Sequence, residues 1–355
     1  MPHDTTFLEK LLDAPGPSGF EVRPARVWRE EASTFAADVR VDVNGNSFAT
    51  VNPGGSPRVM LAGHIDEIGL QVTYIDEEGF LYVDEIGGWD PQVLVGQRVL
   101  ILGRDGDVTG VVGKKAIHLM TPEDRLKASK TKNLWVDVGA KSREEAMSLG
   151  LRVGDPAVLA QKMVRLAGDR IASRAVDNRI GAYVVLEALR LLAEEPAAAA
   201  ATAVATSQEE IGYSGGGART SAYALEPQVA IVVDVTFSTD VPDVEKKELG
   251  EHKLGGGPVI SRGSASHSEV FEMLVRVAEE EGISHTVQAS PRSTRTDADA
   301  IYLTRAGVPT ALVSVPNRYM HSPSETVSLD DLKSTARLIA AFVRRLEEST
   351  DFTPR

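Results

Sequence analysis

The chain has 355 residues, with 38 Lys and Arg against 51 Asp and Glu, no cysteine and a formal net charge of −13. This length allows more than one domain, and the negative charge disfavours nucleic acid or an anionic membrane as a partner. The absence of cysteine excludes disulfides, thiolate metal sites and a cysteine nucleophile, so a metal would have to bind His, Asp and Glu.

The start of the chain is predicted to form two helices. Apolar residues at helical spacing predict a helix around Leu8–Leu12, which Pro15 ends. Ser18 and Glu21 have the S-x-x-E spacing of a capping box, which predicts a second helix that reaches about Phe35. This region has no signal-peptide pattern, and the chain has no apolar run of about 18 residues, so we expect a cytoplasmic protein.

A hairpin and a buried strand follow the second helix. Valines alternate over residues 39–43 and precede Asn44-Gly45, which predicts a hairpin with a type I′ turn. The apolar run at 59–62, which follows Arg58, predicts a short buried strand over 58–62. His64 and Asp66 come directly after this strand.

The middle of the chain, residues 69–167, differs in pattern from both ends. Short apolar stretches broken by Gly and Asp predict strands, and the clearest helical pattern lies at 142–149. We predict that 69–167 is a small β-rich domain inserted into a larger catalytic domain formed by 1–68 and 168–355.

Strands and helices alternate in the last part of the chain. The predicted helices and strands are helix 177–192, strand 203–206, strand 229–233, helix 268–280, strand 309–315 and helix 329–346. This alternation predicts an α/β fold with a mostly parallel sheet and helices on both faces. Binding sites in such sheets form in the crevice outside the carboxyl ends of the strands.

Two histidines and several carboxylates occur at predicted strand ends or at a helix start. These residues are His64, Asp66, Asp177, Glu209, Glu210, Asp234 and His321. Burying so many carboxylates together costs several kcal/mol unless positive charge lies among them, and no Lys or Arg is spaced to neutralise them all. We therefore expect two divalent metal ions per chain. Mixed His and carboxylate ligands suit zinc, cobalt or manganese.

Other motifs are absent or ambiguous. The chain has no HExxH sequence and no complete phosphate-binding loop. The sequence Asp297-Ala298-Asp299 is interpreted as the first turn of a helix and not as a calcium loop. Arg262 is either part of a pocket for an acidic side chain or an ordinary surface arginine, and the sequence leaves both alternatives open.

Five ordered motifs have the residues of a known family. They are GHIDEIG at 63–69, AVDNRIG at 175–181, SQEEIG at 207–212, VVDV at 232–235 and RYMHSPSE at 318–325. With these motifs the chain resembles the dinuclear metallo-aminopeptidases of the tetrahedral aminopeptidase and glutamyl aminopeptidase family. The resemblance runs from about Ser18 to the last helix. One departure is Gly63, where the family more often has Ala, and we interpret this difference as harmless.

The resemblance implies a zinc-peptidase-like fold and a set of metal ligands. Asp177 would bridge the two metals. His64 and Asp234 would complete one site, and Glu210 and His321 would complete the other.

The resemblance also implies a mechanism. Glu209 would be the general base. It would take a proton from the water that bridges the metals, and the resulting hydroxide would attack the peptide carbonyl. Asp66 would hold His64 in orientation and raise its basicity. The expected function is removal of the N-terminal residue of short peptides.

The same resemblance implies that the inserted domain at 69–167 is a small β-barrel or PDZ-like dimerisation domain. It also implies that dimers assemble into a tetrahedral dodecamer. Three alternatives stay open at this point. They are a metal-dependent deacylase on the same scaffold, a glycoside hydrolase of the endoglucanase label, and a binding protein without catalysis.

Overall fold

A computed structural model of the protein describes residues 5–212 and 215–354. It confirms the predicted mixed α/β architecture, with a large sheet that is mostly parallel, helices on both of its faces, and a closed barrel of antiparallel strands. Within the described ranges, no helix is long and apolar enough to cross a membrane.

Strands predominate between residues 38 and 173, and strands alternate with helices from there to the last helix. The helices are α1 (Thr6–Asp13), α2 (Val22–Ala32), α3 (Pro91–Leu94), α4 (Pro122–Arg125), α5 (Arg143–Ser148), α6 (Val176–Glu194), α7 (Gly216–Leu225), α8 (Lys246–Leu249), α9 (Ser268–Glu280), α10 (Ala298–Ile301) and α11 (Leu329–Arg344), with short 3-10 turns at Ile117–Leu119 and Thr131–Asn133. The strands are β1 (Asp38–Val41), β2 (Ser47–Val51), β3 (Arg58–His64), β4 (Gly69–Ile75), β5 (Leu81–Ile86), β6 (Arg98–Gly103), β7 (Gly106–Gly113), β8 (Trp135–Asp137), β9 (Pro156–Leu159), β10 (Val164–Leu166), β11 (Arg170–Ser173), β12 (Ala200–Thr206), β13 (Val229–Phe237), β14 (Val259–Gly263), β15 (Thr286–Ser290), β16 (Thr310–Asn317) and β17 (Glu325–Ser328).

The large sheet brings distant parts of the sequence side by side. Its order in the described ranges is β1-β2-β12-β3-β13-β16-β14-β15. The central strands β12, β3, β13 and β16 are parallel, so their carboxyl ends meet at one edge. Their side chains are almost all buried, as expected for parallel strands covered on both faces.

Side chains of the central strands alternate between two apolar layers. On β3, Leu61 packs in the layer that contains α6 and α11, whereas Met60 and Ala62 pack in the layer that contains α7 and α10. This alternation follows the two-residue period of a strand. The two layers fix the sheet between helices and hold its carboxyl edge in place.

Two local predictions for the first part of the chain are wrong. Ser18 does not cap a helix, because α2 begins at Val22 and the residue before it makes no side-chain cap. The hairpin lacks a two-residue type I′ turn, because residues 42–46 connect β1 to β2. The Asp42 side chain organises this longer loop by accepting hydrogen bonds from the backbone N–H groups of Asn44 and Asn46.

Strand β13 is longer than predicted and changes the setting of one candidate ligand. Asp234 follows four apolar residues, but the strand continues through Phe237. Asp234 therefore lies within the strand and not at its end. Its backbone pairs with Ser314 of β16.

The closed barrel consists of β4, β5, β8, β7, β6 and β9 in that order. It has an apolar interior of its own, with Leu70, Val99, Ile101 and Val136 among the buried residues. Strand β10 lies outside the barrel in a small sheet with β11 and β17. The boundaries 69–167 for an inserted domain stay a prediction.

Candidate metal centre

The candidate metal ligands lie at the carboxyl edge of the large sheet. His64 ends β3, Asp234 lies on the neighbouring strand β13, and Glu210 follows β12. Asp177 lies at the start of α6, where its backbone is not yet helical. His321 lies in the loop between β16 and β17, so five chain segments reach one site.

Asp177 is at the centre of this site. Its Oδ1 lies 3.3 Å from Nε2 of His64, and its Oδ2 lies 3.3 Å from Nε2 of His321. Each carboxylate oxygen therefore faces a different histidine. This geometry suits a carboxylate shared between two cations.

Two groups of three side chains share Asp177. His64, Asp177 and Asp234 form one group, and Asp177, Glu210 and His321 form the other. The ligand atoms within each group lie within 4.8 Å of one another. Imidazole nitrogens and carboxylate oxygens in such groups match the ligands of zinc and other first-row divalent metals.

Buried atoms without hydrogen bonds support this fit. Oε1 of Glu210 is buried and has no hydrogen-bond partner. Nδ1 of His64 is also buried; it lies 3.3 Å from Oδ1 of Asp66, close enough for an ion pair, but the angle is not that of a hydrogen bond. A buried carboxylate oxygen without a donor is costly, and a bound cation would satisfy it.

The pKa values of the carboxyl groups reflect crowding of negative charge. Burial raises the pKa of Glu209, Glu210 and Asp234 well above their ordinary values, and neighbouring carboxylates raise it further. Burial alone would also raise the pKa of Asp177, but hydrogen bonds from His321 and His64 bring it below its ordinary value. The cluster thus favours added positive charge, as protons or as metal ions.

For the two histidines, burial and the neighbouring carboxylates act on the pKa in opposite directions. Burial would lower the pKa of His64, but Asp66 and Asp177 together raise it well above its ordinary value. The pKa of His321 is also raised, because Asp177 outweighs the effect of burial. The negative charge of the carboxylates therefore favours a cation at both imidazoles, either a proton or a metal ion.

Glu209 differs from its neighbour Glu210. Its Oε2 lies 3.7 Å from Nε2 of His64, whereas Oε2 of Glu210 lies 3.4 Å from Nε2 of His321. The Glu209 side chain keeps 16% of its surface exposed, against 6% for Glu210. Glu209 is thus the more accessible of the two carboxylates from the cavity.

Asp66 contacts both His64 and the loop that carries the two glutamates. Its Oδ1 accepts a hydrogen bond from the backbone N–H of Glu209 at 3.2 Å, and its Oδ2 accepts one from that of Glu210 at 3.1 Å. Burial would raise the pKa of Asp66, but His64 lowers it below its ordinary value. Asp66 is therefore an ionised acceptor that holds several site residues.

Ser18 and Glu21 belong to this arrangement, although the sequence suggested a helix cap. The Ser18 hydroxyl donates to Oδ2 of Asp66 at 2.7 Å, and Glu21 accepts a hydrogen bond from the backbone N–H of Gln208. Burial and the charge of Asp66 raise the pKa of Glu21 to about 7. The S-x-x-E pattern is the signal for these two residues, but it supports Asp66 and Gln208 and not a helix cap.

Glu325 is a further residue that the sequence reasoning did not single out. It accepts hydrogen bonds from the backbone N–H groups of Asp177 at 3.1 Å and His321 at 2.9 Å. Burial, followed by the charge of Asp177, raises its pKa to about 8. Its place in the RYMHSPSE motif, four residues after His321, was the only signal.

Gly88 reaches the site from the segment between β5 and β6. Its carbonyl oxygen lies 2.7 Å from Nδ1 of His321. A carbonyl can only accept a hydrogen bond, so this contact assigns the proton to Nδ1 and leaves Nε2 free for a metal. No pattern in the sequence indicated this contact.

A cavity of about 1320 Å³ opens onto the metal cluster. Its walls include the ends of β13 and β15, the loop from Pro291 to Thr296, and parts of α7 and α10. Asp297 lies at the start of α10, as predicted, and burial raises its pKa to about 6. A cavity of this size can hold a short peptide segment.

Arg262 does not belong to this cavity. It is exposed, its guanidinium lies 3.2 Å from the carboxylate of Glu272, and it covers the ring of Phe271. The surface alternative fits the structure, and the acidic-pocket alternative for this residue is wrong.

Comparison with known proteins adds a family relationship to this geometry. The sequence model of the M42 glutamyl aminopeptidase family matches residues 45–338. The lysyl aminopeptidase of Pyrococcus furiosus is 38% identical over 353 residues, which cover 99% of each chain.

Solved structures are similar over almost the whole chain. A TET aminopeptidase from a marine-sediment archaeon of the Thaumarchaeota has a TM-score of 0.92 and 33% identity, covering 97% of this chain and 96% of that one. The TET1 peptidase of Pyrococcus horikoshii, described as assembling into a tetrahedron or a large octahedral shell, has a TM-score of 0.84 and 31% identity, covering 96% and 99%.

Proposed function

The chain belongs to the M42 glutamyl aminopeptidase family and is an aminopeptidase, and we propose that it removes single N-terminal residues from short peptides with two divalent metal ions. The observation that carries the proposal is the position of Asp177 between two histidines, 3.3 Å from each. We propose zinc or cobalt as the metal, with manganese as a further candidate, because the donors combine imidazole and carboxylate.

The two metal sites would share one ligand. His64, Asp177 and Asp234 would hold one ion, and Asp177, Glu210 and His321 would hold the other. Bound there, two cations would supply Lewis acidity, which lowers the pKa of water and polarises the peptide carbonyl.

Glu209 would act as the general base and acid. Its carboxylate would accept a proton from the attacking water and deliver it to the nitrogen of the leaving amine. Asp66 would orient His64, and it would hold the backbone that carries Glu209. Gly88 would fix the proton of His321 on Nδ1, which leaves Nε2 as the ligand atom.

Metal analysis combined with a substrate pair tests this proposal. We expect about two equivalents of metal per chain after reconstitution and loss of activity after chelation. Leucine p-nitroanilide should be hydrolysed, whereas its N-acetylated form should not, because the acetyl group removes the free amine of the substrate.

The alternatives predict different results in the same assays. A deacylase would cleave the acetyl group from N-acetyl-leucine and leave leucine p-nitroanilide intact. A glycoside hydrolase would hydrolyse a cellulose oligomer without added metal, and a binding protein would be inactive on every substrate. Any of these results would contradict the proposed function.

We also propose self-association. The TET structures that resemble this chain include multimeric shells, and the barrel has an apolar core of its own. We propose that residues 69–167 form a dimerisation domain attached to a catalytic domain of 1–68 and 168–355, and that dimers assemble into a dodecamer in the cytoplasm. Light scattering of the intact protein tests the assembly, and a monomer at micromolar concentration would contradict it.

A further inference from the structure

The start of α6 contacts each chain segment that contributes to one of the two ligand groups. We call the group of His64, Asp177 and Asp234 the first site, and the group of Asp177, Glu210 and His321 the second site. The two residues after Asp177 are Asn178 and Arg179, which are fully buried and belong to neither group. Their side chains make hydrogen bonds to the two segments that carry His64 and Asp234.

Asn178 contacts the strand that carries Asp234. Its Nδ2 donates a hydrogen bond at 2.7 Å to the backbone oxygen of Val233, which directly precedes Asp234 on β13. Its Oδ1 accepts a hydrogen bond at 3.0 Å from the backbone N–H of Gly181 on α6. The pairing of β13 with β3 ends at Val232, so the Asn178 amide holds β13 just beyond the end of this pairing.

Arg179 contacts the residue after His64. Its Nε donates a hydrogen bond at 3.1 Å to the backbone oxygen of Ile65, which lies between His64 and Asp66. Its Nη1 and Nη2 donate to backbone oxygens at the end of α1 and just after it, those of Leu11, Leu12, Ala14 and Gly16. The N-terminal segment therefore fixes the guanidinium on one side, and the guanidinium fixes Ile65 on the other.

A buried carboxylate compensates the charge of this guanidinium. Nη2 of Arg179 lies 2.8 Å from Oε1 of Glu67, and Arg174 binds the other oxygen of the same carboxylate. Burial lowers the pKa of Arg179 to about 10, although Glu67 opposes this effect. The guanidinium is therefore ionised at neutral pH, and hydrogen bonds from an ionised donor are stronger than those from a neutral one.

Different residues hold the ligands that belong to the second site alone. Asp66 accepts a hydrogen bond from the backbone N–H of Glu210, and Glu325 accepts one from that of His321. In the described parts of the chain, the side-chain hydrogen bonds of Asn178 and Arg179 do not reach the segments that carry Glu210 and His321.

We propose that Asn178 and Arg179 are positioning residues for the first site. The start of α6 supplies the ligand Asp177, and the next two side chains fix the backbone beside Asp234 and His64. Ligands that are held in place before a metal arrives lose less conformational freedom when it binds. This inference rests on the proposed function, because it needs a metal ion at the first site.

Variants that keep one site at a time test the inference. His321→Ala removes a ligand of the second site and leaves the first site complete, and His64→Ala does the reverse. Titration with Co²⁺, followed by its visible absorption, measures metal affinity and reports the geometry around the bound ion. In the His321→Ala background, Asn178→Ala and Arg179→Gln should each weaken cobalt binding by about 10- to 100-fold, the usual effect of residues that hold metal ligands.

The other background shows whether the effect belongs to the first site. In the His64→Ala background, Asn178→Ala and Arg179→Gln should leave cobalt affinity unchanged. Unchanged affinity in the His321→Ala background overturns the inference. Equal weakening in both backgrounds also overturns it, because this result would indicate general loosening of α6.

A buried control separates positioning from loss of stability. Trp28 is buried and donates a hydrogen bond at 2.8 Å to the backbone oxygen of Ala182 on α6. Trp28→Phe removes this bond and leaves the contacts of Asn178 and Arg179 in place, so cobalt affinity should not change in either background. A loss of affinity as large as that of Asn178→Ala overturns the inference.

Arg179→Lys gives a second test if Arg179→Gln does not fold, as judged by circular dichroism. The ammonium keeps a positive charge beside Glu67, but its compact head cannot reach Ile65 and the α1 carbonyl groups together. Arg179→Lys should therefore weaken cobalt binding at the first site as well. Unchanged affinity in this variant overturns the role of Arg179.

Cobalt binding to the wild-type chain separates this inference from the proposed function. If the wild-type chain binds two cobalt ions and the Asn178 and Arg179 variants keep its affinity, the inference fails and the proposed function stands. If the wild-type chain binds no divalent metal, the proposed function itself fails, and this inference fails with it.

Discussion

Glu209 and Glu210 are neighbours in the chain but face different histidines. We expect Glu209→Gln to bind two metals and to lose at least roughly 100-fold in kcat, because an amide cannot accept a proton. We expect Glu210→Gln to lose one metal first, since a neutral amide oxygen stabilises a cation less than a carboxylate does. Metal analysis and kcat on both variants check this prediction. The reverse pattern would exchange the two roles.

A second prediction at the scale of single residues concerns Asp66. Its two oxygens accept hydrogen bonds from the backbone of Glu209 and Glu210 and face His64. An amide has only one acceptor oxygen, so Asp66→Asn should weaken metal affinity by about 10- to 100-fold. Competition with a chelator measures this affinity.

A matched control separates loss of this role from loss of negative charge. Asp107→Asn removes an exposed carboxylate paired with Arg23, and we expect it to leave metal affinity unchanged. If Asp66→Asn and Asp107→Asn behave alike, Asp66 has no special role at the site.

The candidate metal ligands could be predicted from the sequence, whereas the hydrogen bonds that hold them in position could not. His64 and Glu210 could be predicted to converge because parallel strands meet at one edge of a sheet. Asp234 joins them although β13 continues to Phe237. Ser18 and Glu325 act through contacts 48 and 148 residues apart in the chain. Contacts between residues so far apart leave no periodic pattern in the sequence. The prediction for Ser18 used only its neighbours in the chain and therefore gave a helix cap.

At the scale of secondary structure, β3 and α6 lie in close contact at Gly63. A Cβ added to Gly63 would lie 2.4 Å from the backbone carbon of Gly181 and 2.6 Å from the backbone nitrogen of Ala182. Gly63 therefore fits a close contact in this chain that alanine would not fit, and the family match includes this position. The strand and helix could accommodate alanine only by moving apart next to His64.

We expect Gly63→Ala to lower the free energy of unfolding by about 1 to 3 kcal/mol, the usual cost of overpacking. Urea denaturation of the metal-free protein measures it. The matched control is Gly54→Ala, where an added Cβ meets nothing within 4 Å; its effect should stay within about 0.5 kcal/mol. Equal stability of the two variants would show that β3 and α6 move apart at little cost.

Long elements were easier to predict than connections. The apolar periodicity of α9 and α11 reproduced their starts at Ser268 and Leu329, because a buried helical face repeats over several turns. The β1–β2 loop was missed because Asp42, and not Asn44-Gly45, organises it through hydrogen bonds from Asn44 and Asn46. Such side-chain capping competes with turn preferences and depends on tertiary surroundings.

For the whole molecule, the crowded carboxylates link stability to pH. Folding raises the pKa of Glu325 from 4.5 to about 8 and that of Asp297 from 3.8 to about 6. It also raises the pKa of His64 and His321 above 6.5. Groups with raised pKa bind protons more tightly when folded, so the metal-free fold gains stability as pH falls from 8 towards 6.

We therefore expect the metal-free protein to have a higher Tm at pH 6 than at pH 8. The metal-loaded protein should show the opposite trend, because protons compete with metal for the same ligands. The pKa of Asp177 is lowered on folding. Its stabilising contribution is therefore lost only as pH falls below the ordinary value of 3.8, outside this window. Thermal unfolding with and without a chelator checks the prediction, and a metal-free protein more stable at pH 8 would contradict it.

The hydrogen bond between Gly88 and His321 joins the segment between two barrel strands to a ligand of the candidate centre. Metal binding and barrel position are consequently parts of one thermodynamic cycle. A movement of Gly88 would weaken its hydrogen bond to Nδ1 of His321, and a metal that fixed the His321 ring would in turn restrain Gly88. Linkage makes the two effects equal in free energy, so a partner contact that shifted the barrel segment would change metal affinity by as much as metal binding would change that contact.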